Sequence, residues 1–398
     1  MRILNVTESY APFYEFGGPP VKVEALSRGL AGRGHEVTVL TADWGIEERI
    51  GEAATAAKFM RAQYGWQREE RGVKAVYLPI AMRYRTTSWN PEIRTFLKSE
   101  LRNHAAVHIF GLYDLLGPSV ARACRREKIP YVVEPIGMFV PIVRSVWLKR
   151  VYHSVFGRRM LDGAARIVAT SEQEIRELAD GRIPIEKIVL RRNGVVRPEH
   201  LPAKGMFRQH KGFPNESLLV LFLGRLSEKK SPDLLLRAFS ALPGKVEGRA
   251  VQLAFAGPDE HGMEEKLREL AGGLQVAERV KFIGPVFGEE KWAAYVDADV
   301  FVLPSQNENF GNTAAESAVV GTPVIVTENC GIAPLLSEGG VVIPHDERAL
   351  TEALLKLLQN ETLRGEMGRK AAHAAAEIGW ENPVCETEAL YRKLAENR

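Results

Sequence analysis

The sequence contains little that would tie it to an oxidising compartment, a metal or a lipid bilayer. Its 398 residues include three cysteines, Cys124, Cys330 and Cys385, too widely spaced to predict a disulfide framework or a metal site. No run of about 18 apolar residues occurs, so no membrane-spanning helix is predicted. Residues 1–6 form a short apolar segment that soon meets Glu8, so we expect no secretory leader and a reducing, cytoplasmic location.

The net charge of +3 is small, but it conceals an unequal division of charge along the chain. Residues 1–195 carry 30 Lys and Arg against 21 Asp and Glu, whereas the remainder carries 23 against 29. A basic half favours an anionic partner, such as a membrane surface or a phosphate-bearing substrate. A solvated basic surface without such a partner is the alternative.

Short apolar segments alternate with helical stretches along the whole chain, which predicts an α/β protein with parallel sheets. The length favours two domains. We predict Rossmann-like, doubly wound domains at residues 1–195 and 196–378, facing a cleft, with a linker near 193–205 and a final helix at 379–398 packing back toward the first. The predicted strands are 3–6, 37–40, 73–78, 107–110, 131–133, 167–169, 188–191, 218–222, 251–256, 280–283, 300–303 and 323–326.

The most informative motif runs from a predicted strand through a polar turn into a helix, over residues 303–316. A helix start offers unpaired backbone N–H groups and a positive dipole, which suit a phosphate, and Gly311 allows close approach. Glu308 lies before the helix and Glu316 lies inside it. Two carboxylates beside a phosphate cradle suit a nucleotide sugar. The alternative is an ordinary helix start with one dipole-favoured acid and one solvated acid.

Cations follow the first strand of the second half. Arg225 comes directly after that strand, and Lys230 falls near the start of the next helix, where a cation opposes the helix dipole. Both can neutralise a diphosphate leaving group. In the first half, Gly17 and Gly18 follow the first strand, where backbone can meet a phosphate or substrate, although turns use glycine in any case.

These motifs together resemble family 4 of the retaining glycosyltransferases with the GT-B fold, the bacterial polysaccharide-type glycosyl transferase group 1. The resemblance covers nearly the whole chain. It rests on Arg225 and Lys230, on residues 257–259, on Glu308 to Glu316, on residues 321–325, and more loosely on residues 17–18 and 33–40.

The resemblance implies a metal-independent enzyme that moves a hexose from a nucleotide diphosphate donor, most commonly UDP, to a sugar or lipid-linked acceptor. It implies no cofactor and no nucleic-acid partner. Arg225 and Lys230 would grip the diphosphate, Glu308 the sugar hydroxyls and Glu316 both ribose hydroxyls. The remaining donor-binding positions implied are Gly17, Gly18, Val286, Asn309, Phe310, Gly311, Asn312 and Thr313.

The chain departs from the family on the acceptor side. Ile136 and Phe110 stand where many relatives have histidine, and Glu134 is our candidate for a substitute polar partner. A catalytically weak nucleotide-sugar-binding subunit is therefore the alternative function. A nicotinamide enzyme is disfavoured because no Gly-x-Gly-x-x-Gly follows the first strand.

Residues 139–159 combine large apolar groups with five cations, and no acid occurs between Glu134 and Asp162. A basic amphipathic segment can lie in a lipid headgroup layer, so we expect peripheral contact with the inner face of a membrane. The alternative is a helix whose apolar face packs into the core of the first domain.

Overall fold

The computed structural model describes residues 1–50, 59–140 and 146–396, which form two compact units. The first unit comprises Met1–Gly194 and Trp380–Arg398, and the second comprises Val195–Gly379. Each crossing between units lies one residue from a predicted boundary, and the C-terminal helix Glu381–Glu396 belongs to the first unit.

The first unit is built on a nine-stranded sheet. Its strands and those of a separate hairpin are β1 Arg2–Thr7, β2 Glu36–Ala42, β3 Met60–Ala62, β4 Gly65–Glu70, β5 Val73–Leu78, β6 Met82–Tyr84, β7 Thr87–Trp89, β8 Ala106–Phe110, β9 Tyr131–Glu134, β10 Arg166–Ala169 and β11 Ile188–Leu190. The sheet order is β11-β10-β9-β8-β1-β2-β5-β4-β3, and β6 pairs with β7. Within this sheet, the seven strands β11, β10, β9, β8, β1, β2 and β5 are parallel, whereas β4 and β3 extend the edge in antiparallel fashion.

Helices cover this sheet. They are α1 Gly18–Gly32, α2 Ile46–Ile50, α3 Ile93–Glu100, α4 Leu116–Glu127, α5 Val146–Tyr152, α6 Arg158–Asp162 and α7 Glu172–Asp180. A π-helical turn, His153–Gly157, joins α5 to α6, and short 3₁₀ turns lie at Tyr14–Phe16, Leu101–Asn103 and Ile185–Lys187. The C-terminal helix packs on α1, where the Glu388 carboxylate accepts hydrogen bonds from Arg33 at 2.5 Å and contacts His35 at 3.0 Å.

The second unit repeats the parallel pattern. Its strands are β12 Leu218–Leu223, β13 Lys245–Val246, β14 Arg249–Ala256, β15 Val280–Gly284, β16 Val300–Leu303, β17 Val324–Thr327 and β18 Gly340–Ile343. Its helices are α8 Met206–Lys211, α9 Pro232–Ser240, α10 Met263–Gly273, α11 Gly288–Asp297, α12 Asn312–Val319, α13 Glu347–Leu358 and α14 Glu361–Ala376, with 3₁₀ turns at Glu228–Lys230, Ala277–Arg279 and Ala333–Leu336. Strands β12, β16 and β17 are wholly buried, and β12 and β16 are also continuously apolar, as expected for parallel strands covered on both faces.

Strand order places a ligand crevice in each unit. In the second unit the parallel strands run β15-β14-β12-β16-β17-β18, and in the first unit β5-β2-β1-β8-β9-β10. Both follow the Rossmann order. In this order successive strands are added on one side of the first strand and then, from the fourth strand onward, on its other side. Ligands bind beyond the carboxyl ends of the strands at that reversal, which here means after β1 and β8 and after β12 and β16.

All the predicted strands are confirmed, with ends displaced by at most two residues. The β3–β4 extension, the β6–β7 hairpin, β13 and β18 were not predicted. Helix α7 is capped at its start, where the Ser171 side chain accepts a hydrogen bond from the Glu174 backbone N–H. The Glu174 carboxylate accepts hydrogen bonds from the N–H groups of Thr170 and Gly137.

Candidate functional site

The loop between β16 and α12 delivers a helix start to the carboxyl end of the second sheet. Gly311 precedes the helix with φ of 102°, in the left-handed region that favours glycine. A Cβ atom there would lie 3.1 Å from the Ile332 side chain, so space also favours glycine. The first N–H groups of α12 have no partner within the helix by geometry, and they carry its positive end.

Two side chains of the first turn of α12 point to a ligand. The Asn312 Oδ1 and Thr313 Oγ1 atoms are buried and have no hydrogen-bond partner among the described residues. A buried polar atom without a hydrogen bond destabilises the folded protein by about 1–3 kcal/mol. A ligand that donates hydrogen bonds to these two atoms would remove that cost, which favours its binding here. The Phe310 side chain, by contrast, is buried in the core, so only the backbone of this residue could contact a nucleotide sugar.

Lys230 and Glu308 form the centre of the site. The Lys230 Nζ atom donates to Glu308 Oε2 at 2.5 Å, and the lysine side chain lies over Gly224, immediately after β12. Burial alone would raise the pKa of Glu308, but the charge and hydrogen bond of Lys230, with Lys229, hold that pKa below its usual value. The carboxylate is therefore ionised, and it is the anion that compensates a cation near the start of α9.

Backbone contacts fix the loop that carries Glu308. Its N–H donates to the Asn329 carbonyl at 2.9 Å, and its carbonyl accepts from Gly331 at 2.8 Å. The Gln306 N–H donates to the Lys229 carbonyl at 3.0 Å, which joins this loop to the one after β12. The two loops of the crevice are thus held together by main chain as well as by the ion pair.

Arg225 lies beside the same crevice with an ionic partner of its own. Its Nη1 atom contacts Glu260 Oε1 at 3.1 Å, and both side chains are partly exposed. Gly257, after β14, packs so closely on Gly224 that a Cβ atom would overlap the Gly224 carbonyl oxygen. This glycine contact brings the loops after β12 and β14 together.

Glu316 is held by two residues that sequence reasoning missed. Its Oε1 atom accepts from Lys291 Nζ at 2.8 Å, and its Oε2 atom accepts from the Tyr295 hydroxyl at 2.8 Å. Burial, followed by the charge and hydrogen bond of Glu316, raises the pKa of Tyr295 well above its ordinary value, so this hydroxyl remains a donor. Lys291 and Tyr295 stand four apart on α11, which places them on one face, but no sequence signal connects them to Glu316.

The structure therefore groups most of the predicted site residues in one unit. Arg225, Lys230, Glu308 and residues 309–316 surround the carboxyl ends of β12 and β16. Val286 lies in the same unit, buried between β15 and α11. Gly17, with φ of 91°, and Gly18 form the entry to α1 in the first unit, after β1.

The suggestion that Glu134 serves as a polar ligand group is wrong. Its carboxylate is fully buried, forms ion pairs with Lys22 and Arg191, and lies 3.6 Å from His108 Nε2. Burial lowers the pKa of His108 to about 3, so that histidine is neutral, and it hydrogen-bonds the Tyr391 hydroxyl at 2.7 Å. Glu134 is occupied in holding the interior of the first unit together.

The two positions that depart from the family pattern differ in structure. Phe110 is buried and stacks on His108 with ring centroids 3.9 Å apart, so it is a core residue. Ile136 has φ of 56°, a left-handed conformation that is rare for a β-branched side chain. Strain of this kind is typical of functional loops.

Asp297 and Asp299, which lie before β16, serve the core of the second unit. Asp297 accepts from the N–H groups of Gly205 and Arg208 at 2.5 and 3.0 Å. Asp299 accepts from the Arg208 guanidinium at 2.7 Å and from the Leu219 N–H at 2.8 Å. Both carboxylates therefore have structural partners.

Within the segment predicted to contact a membrane, residues 141–145 lie outside the described residues. In the rest of it, Trp147 is 67% exposed, and Leu148, Val151, Val155 and Phe156 are also exposed. The alternative, in which this apolar face packs into the core, is therefore wrong for these side chains. No helix within the described residues combines the length and hydrophobicity needed to span a bilayer.

Two family models match the chain. The model for glycosyl transferases group 1 matches residues 204–374, and that for the glycosyl transferase 4-like domain matches residues 17–194. Together they cover both units. The glycosyl transferases group 1 match contains the second-unit crevice of Lys230, Glu308 and Glu316.

Curated relatives and solved structures agree with these matches. D-inositol 3-phosphate glycosyltransferases from Streptomyces bingchenggensis and Corynebacterium urealyticum are 33% and 35% identical, over 60% and 47% of this chain and 55% and 46% of theirs. The chain thus spans about half the length of these relatives.

Sucrose-phosphate synthase from Thermosynechococcus elongatus has a TM-score of 0.77 at 19% identity over all of both chains. Anabaena HepE in complex with UDP and glucose has a TM-score of 0.75 at 15% identity, over 99% of each chain. With two Rossmann-ordered units, a helix-start crevice and both family models in place, the chain belongs to the group 1, family 4-like glycosyltransferases of GT-B fold.

Proposed function

We propose that this glycosyltransferase moves a hexose-type sugar from a nucleotide diphosphate donor to a hydroxyl acceptor, with retention of configuration and without a metal. The observation that carries the proposal is the crevice of the second unit. There the start of α12, the Lys230–Glu308 pair and Glu316 surround the carboxyl ends of β12 and β16. One end of this arrangement suits ribose hydroxyls and the other suits a sugar beside phosphates.

Donor binding would exchange partners within the crevice. Lys230 is paired with Glu308 and Arg225 with Glu260, so an incoming diphosphate would compete with these carboxylates for the cations. Release of Glu308 from Lys230 frees its oxygens to accept hydrogen bonds from sugar hydroxyls. Glu316 keeps acceptor capacity beside Lys291 and Tyr295, because an ionised carboxylate offers about four lone-pair positions.

The proposed reaction takes place on one face of the donor sugar. The bond between the anomeric carbon and the diphosphate oxygen breaks, and its electron pair goes to that oxygen. The acceptor hydroxyl forms the new bond from the same face and passes its proton to the departing phosphate oxygen. Negative charge grows on the diphosphate as the bond breaks, so Lys230, Arg225 and the α12 dipole stabilise the transition state.

The relatives support the choice of substrates. HepE is described in complex with UDP and glucose, which favours a UDP-hexose as the donor. The curated relatives are named for D-inositol 3-phosphate, which favours a polyhydroxylated acceptor. The basic first half and the exposed apolar groups from Trp147 to Phe156 favour a lipid-linked acceptor in polysaccharide or glycolipid synthesis at the cytoplasmic face of a membrane.

Donor binding and stereochemistry test the proposal. A thermal-shift panel of UDP, GDP, ADP and their sugars should show stabilisation of about 2.7 kcal/mol at 100 times the dissociation constant. Product from an α-linked donor should remain α by NMR, and activity should survive EDTA. An inverted product or loss of activity in EDTA would refute the retaining, metal-independent mechanism.

The alternative is a catalytically weak nucleotide-sugar-binding subunit, favoured by Phe110 and Ile136 in place of histidine. Donor hydrolysis separates the two functions, because an active transferase slowly passes its sugar to water. Nucleotide-sugar binding without hydrolysis or transfer would establish the alternative.

Membrane contact through residues 139–159 has a direct test in liposome flotation. Binding to anionic vesicles should fall with salt and be lost when Arg144, Lys149 and Arg150 are replaced by Glu in a folded protein. Absence of binding at low salt would favour a soluble acceptor.

A further inference from the structure

The β6–β7 hairpin presents an apolar face that the described residues of the first unit leave largely exposed. Met82 pairs with Trp89 across the strands, and Tyr84 pairs with Thr87. Because side chains alternate along a strand, these four residues share one face. Met82 is 68% exposed, Tyr84 63% and Trp89 49%, which is unusual for three large apolar groups on six strand residues.

Buried and partly buried hydrogen bonds fix the hairpin to the body of the unit. The Ser88 N–H donates to Glu8 Oε1 at 2.7 Å, and the Ser88 hydroxyl donates to Asn90 Oδ1 at 2.6 Å. The Asn90 amide donates to the Leu78 carbonyl at 3.1 Å. An isolated two-stranded hairpin is only marginally stable, so these bonds hold the exposed face in place.

The hairpin adjoins the exposed helical stripe through a shared loop. The Thr87 hydroxyl donates to the Tyr113 carbonyl at 2.8 Å. From the other element, the Tyr152 ring lies 5.3 Å from the Tyr113 ring, and its hydroxyl donates to the Asp114 carbonyl at 2.6 Å. On α5 and the turn after it, Trp147, Val151 and Val155 recur every four residues and are all exposed.

Charge distinguishes what can cover these faces. Arg83 and Arg85 lie on the hairpin, and Lys149 and Arg150 lie on the helical segment, where Arg158 is paired with Asp162. No acidic residue occurs in residues 71–91 or 135–161. Pairing of two identical copies would bring these cations together, whereas an anionic bilayer would attract them and accept the apolar groups.

We propose that the hairpin face of Met82, Tyr84 and Trp89 forms, with the stripe of Trp147, Val151 and Val155, one lipid-facing surface that binds an anionic bilayer. It extends the proposed function, because both elements contact Tyr113, which lies just beyond the carboxyl end of β8. The surface would therefore hold a bilayer beside the crevice of the first unit and admit the headgroup of a membrane-borne acceptor there. The hairpin is the part that the charge pattern of residues 139–159 does not predict.

Flotation with vesicles of phosphatidylcholine, with and without phosphatidylglycerol, tests the hairpin itself. The Arg83→Ser/Arg85→Ser variant should bind the anionic vesicles about 30-fold more weakly, since each cation contributes about 1 kcal/mol at an anionic surface. Met82→Ser/Trp89→Ser should weaken binding about 10-fold or more, because it removes two apolar side chains that would be buried in the bilayer. Ile185→Ser, at a residue 61% exposed elsewhere in the first unit, should bind like the wild type.

A fluorescent label provides a readout of insertion. Cys124 and Cys330 are buried, so in a Cys385→Ser background an environment-sensitive dye on Thr86→Cys reports the hairpin turn. Its emission should shift to the blue with anionic vesicles, and a dye on Ile185→Cys should not respond.

Three outcomes would overturn the proposal. These are wild-type binding in both hairpin variants, no binding by the wild type, and a concentration-dependent dimer that the hairpin substitutions dissociate. Thermal melting of the same variants serves as the folding control, because all the substitutions lie in the first unit. Their nucleotide affinity should be unchanged, because the proposed nucleotide site lies in the second unit. If the wild type binds no nucleotide, the proposed function is contradicted, whereas the proposed lipid-facing surface is unaffected.

Discussion

Replacement of Glu316 by alanine tests two properties separately: the contribution of this residue to the free energy of unfolding, and its proposed role in binding the nucleotide sugar. In the folded protein its carboxylate accepts from the Tyr295 hydroxyl and from Lys291, each at 2.8 Å. Tyr295 is fully buried, so Glu316→Ala leaves its hydroxyl without that partner, at a cost of about 1–3 kcal/mol. The Lys291 pair is partly exposed and adds about 0–1 kcal/mol.

The same substitution should weaken nucleotide binding about 10-fold or more, because the ribose hydroxyls lose their acceptor. Tyr295→Phe is the matched control, since it removes the buried hydroxyl and leaves the carboxylate in place. We expect Tyr295→Phe to retain nucleotide affinity. The double variant should be destabilised by about 1 kcal/mol less than the sum of the two single variants, because no hydroxyl remains to be orphaned.

Urea denaturation gives the free energies of unfolding, and calorimetry with UDP, GDP and ADP gives the affinities. If Glu316→Ala is destabilised as expected but binds nucleotide like the wild type, Glu316 is only a structural partner of Tyr295. If Tyr295→Phe loses nucleotide affinity to the same degree, the effect of Glu316→Ala comes from disturbed packing, and the ribose assignment fails.

Three further perturbations follow from the structure. Lys230→Ala and Arg225→Ala should depress turnover more than donor affinity, since charge on the diphosphate grows in the transition state; normal turnover at saturating donor would make either residue a binder only. Burial, followed by the charge of Asp114, raises the pKa of Glu8 to about 9, so the folded state holds a proton that the unfolded state releases near pH 4.5. Stability should therefore fall between pH 6 and 9 by up to about 1.4 kcal/mol per pH unit, and Glu8→Gln should remove this slope in denaturation curves. Gly311→Ala should destabilise by about 1–2 kcal/mol and weaken donor binding, and wild-type melting and affinity would show that the left-handed turn is not required.

The sequence by itself determined the succession of strands and helices and the position of the second-unit crevice. Continuous apolar runs such as β12 are long enough to identify buried parallel strands, and such local patterns need no knowledge of distant contacts. The turn before α12 was equally readable, because glycine, a polar loop and a helix start are consecutive in the chain. Lys230 and Glu308 were placed correctly at one crevice, since residues that follow parallel strands meet at one edge of the sheet.

Only the tertiary structure decided which partner each charged group has. Glu316 meets Lys291 and Tyr295 on another helix, and Glu134 meets Lys22 and Arg191 in the interior of the first unit. These pairings join positions at least 21 residues apart, where sequence spacing carries no information about distance. The β6–β7 hairpin was missed because its three-residue strands are too short for a periodic pattern, and its apolar groups point outward. Burial and long-range contact therefore decide whether a carboxylate is a ligand group or a structural one, and both are properties of the folded chain.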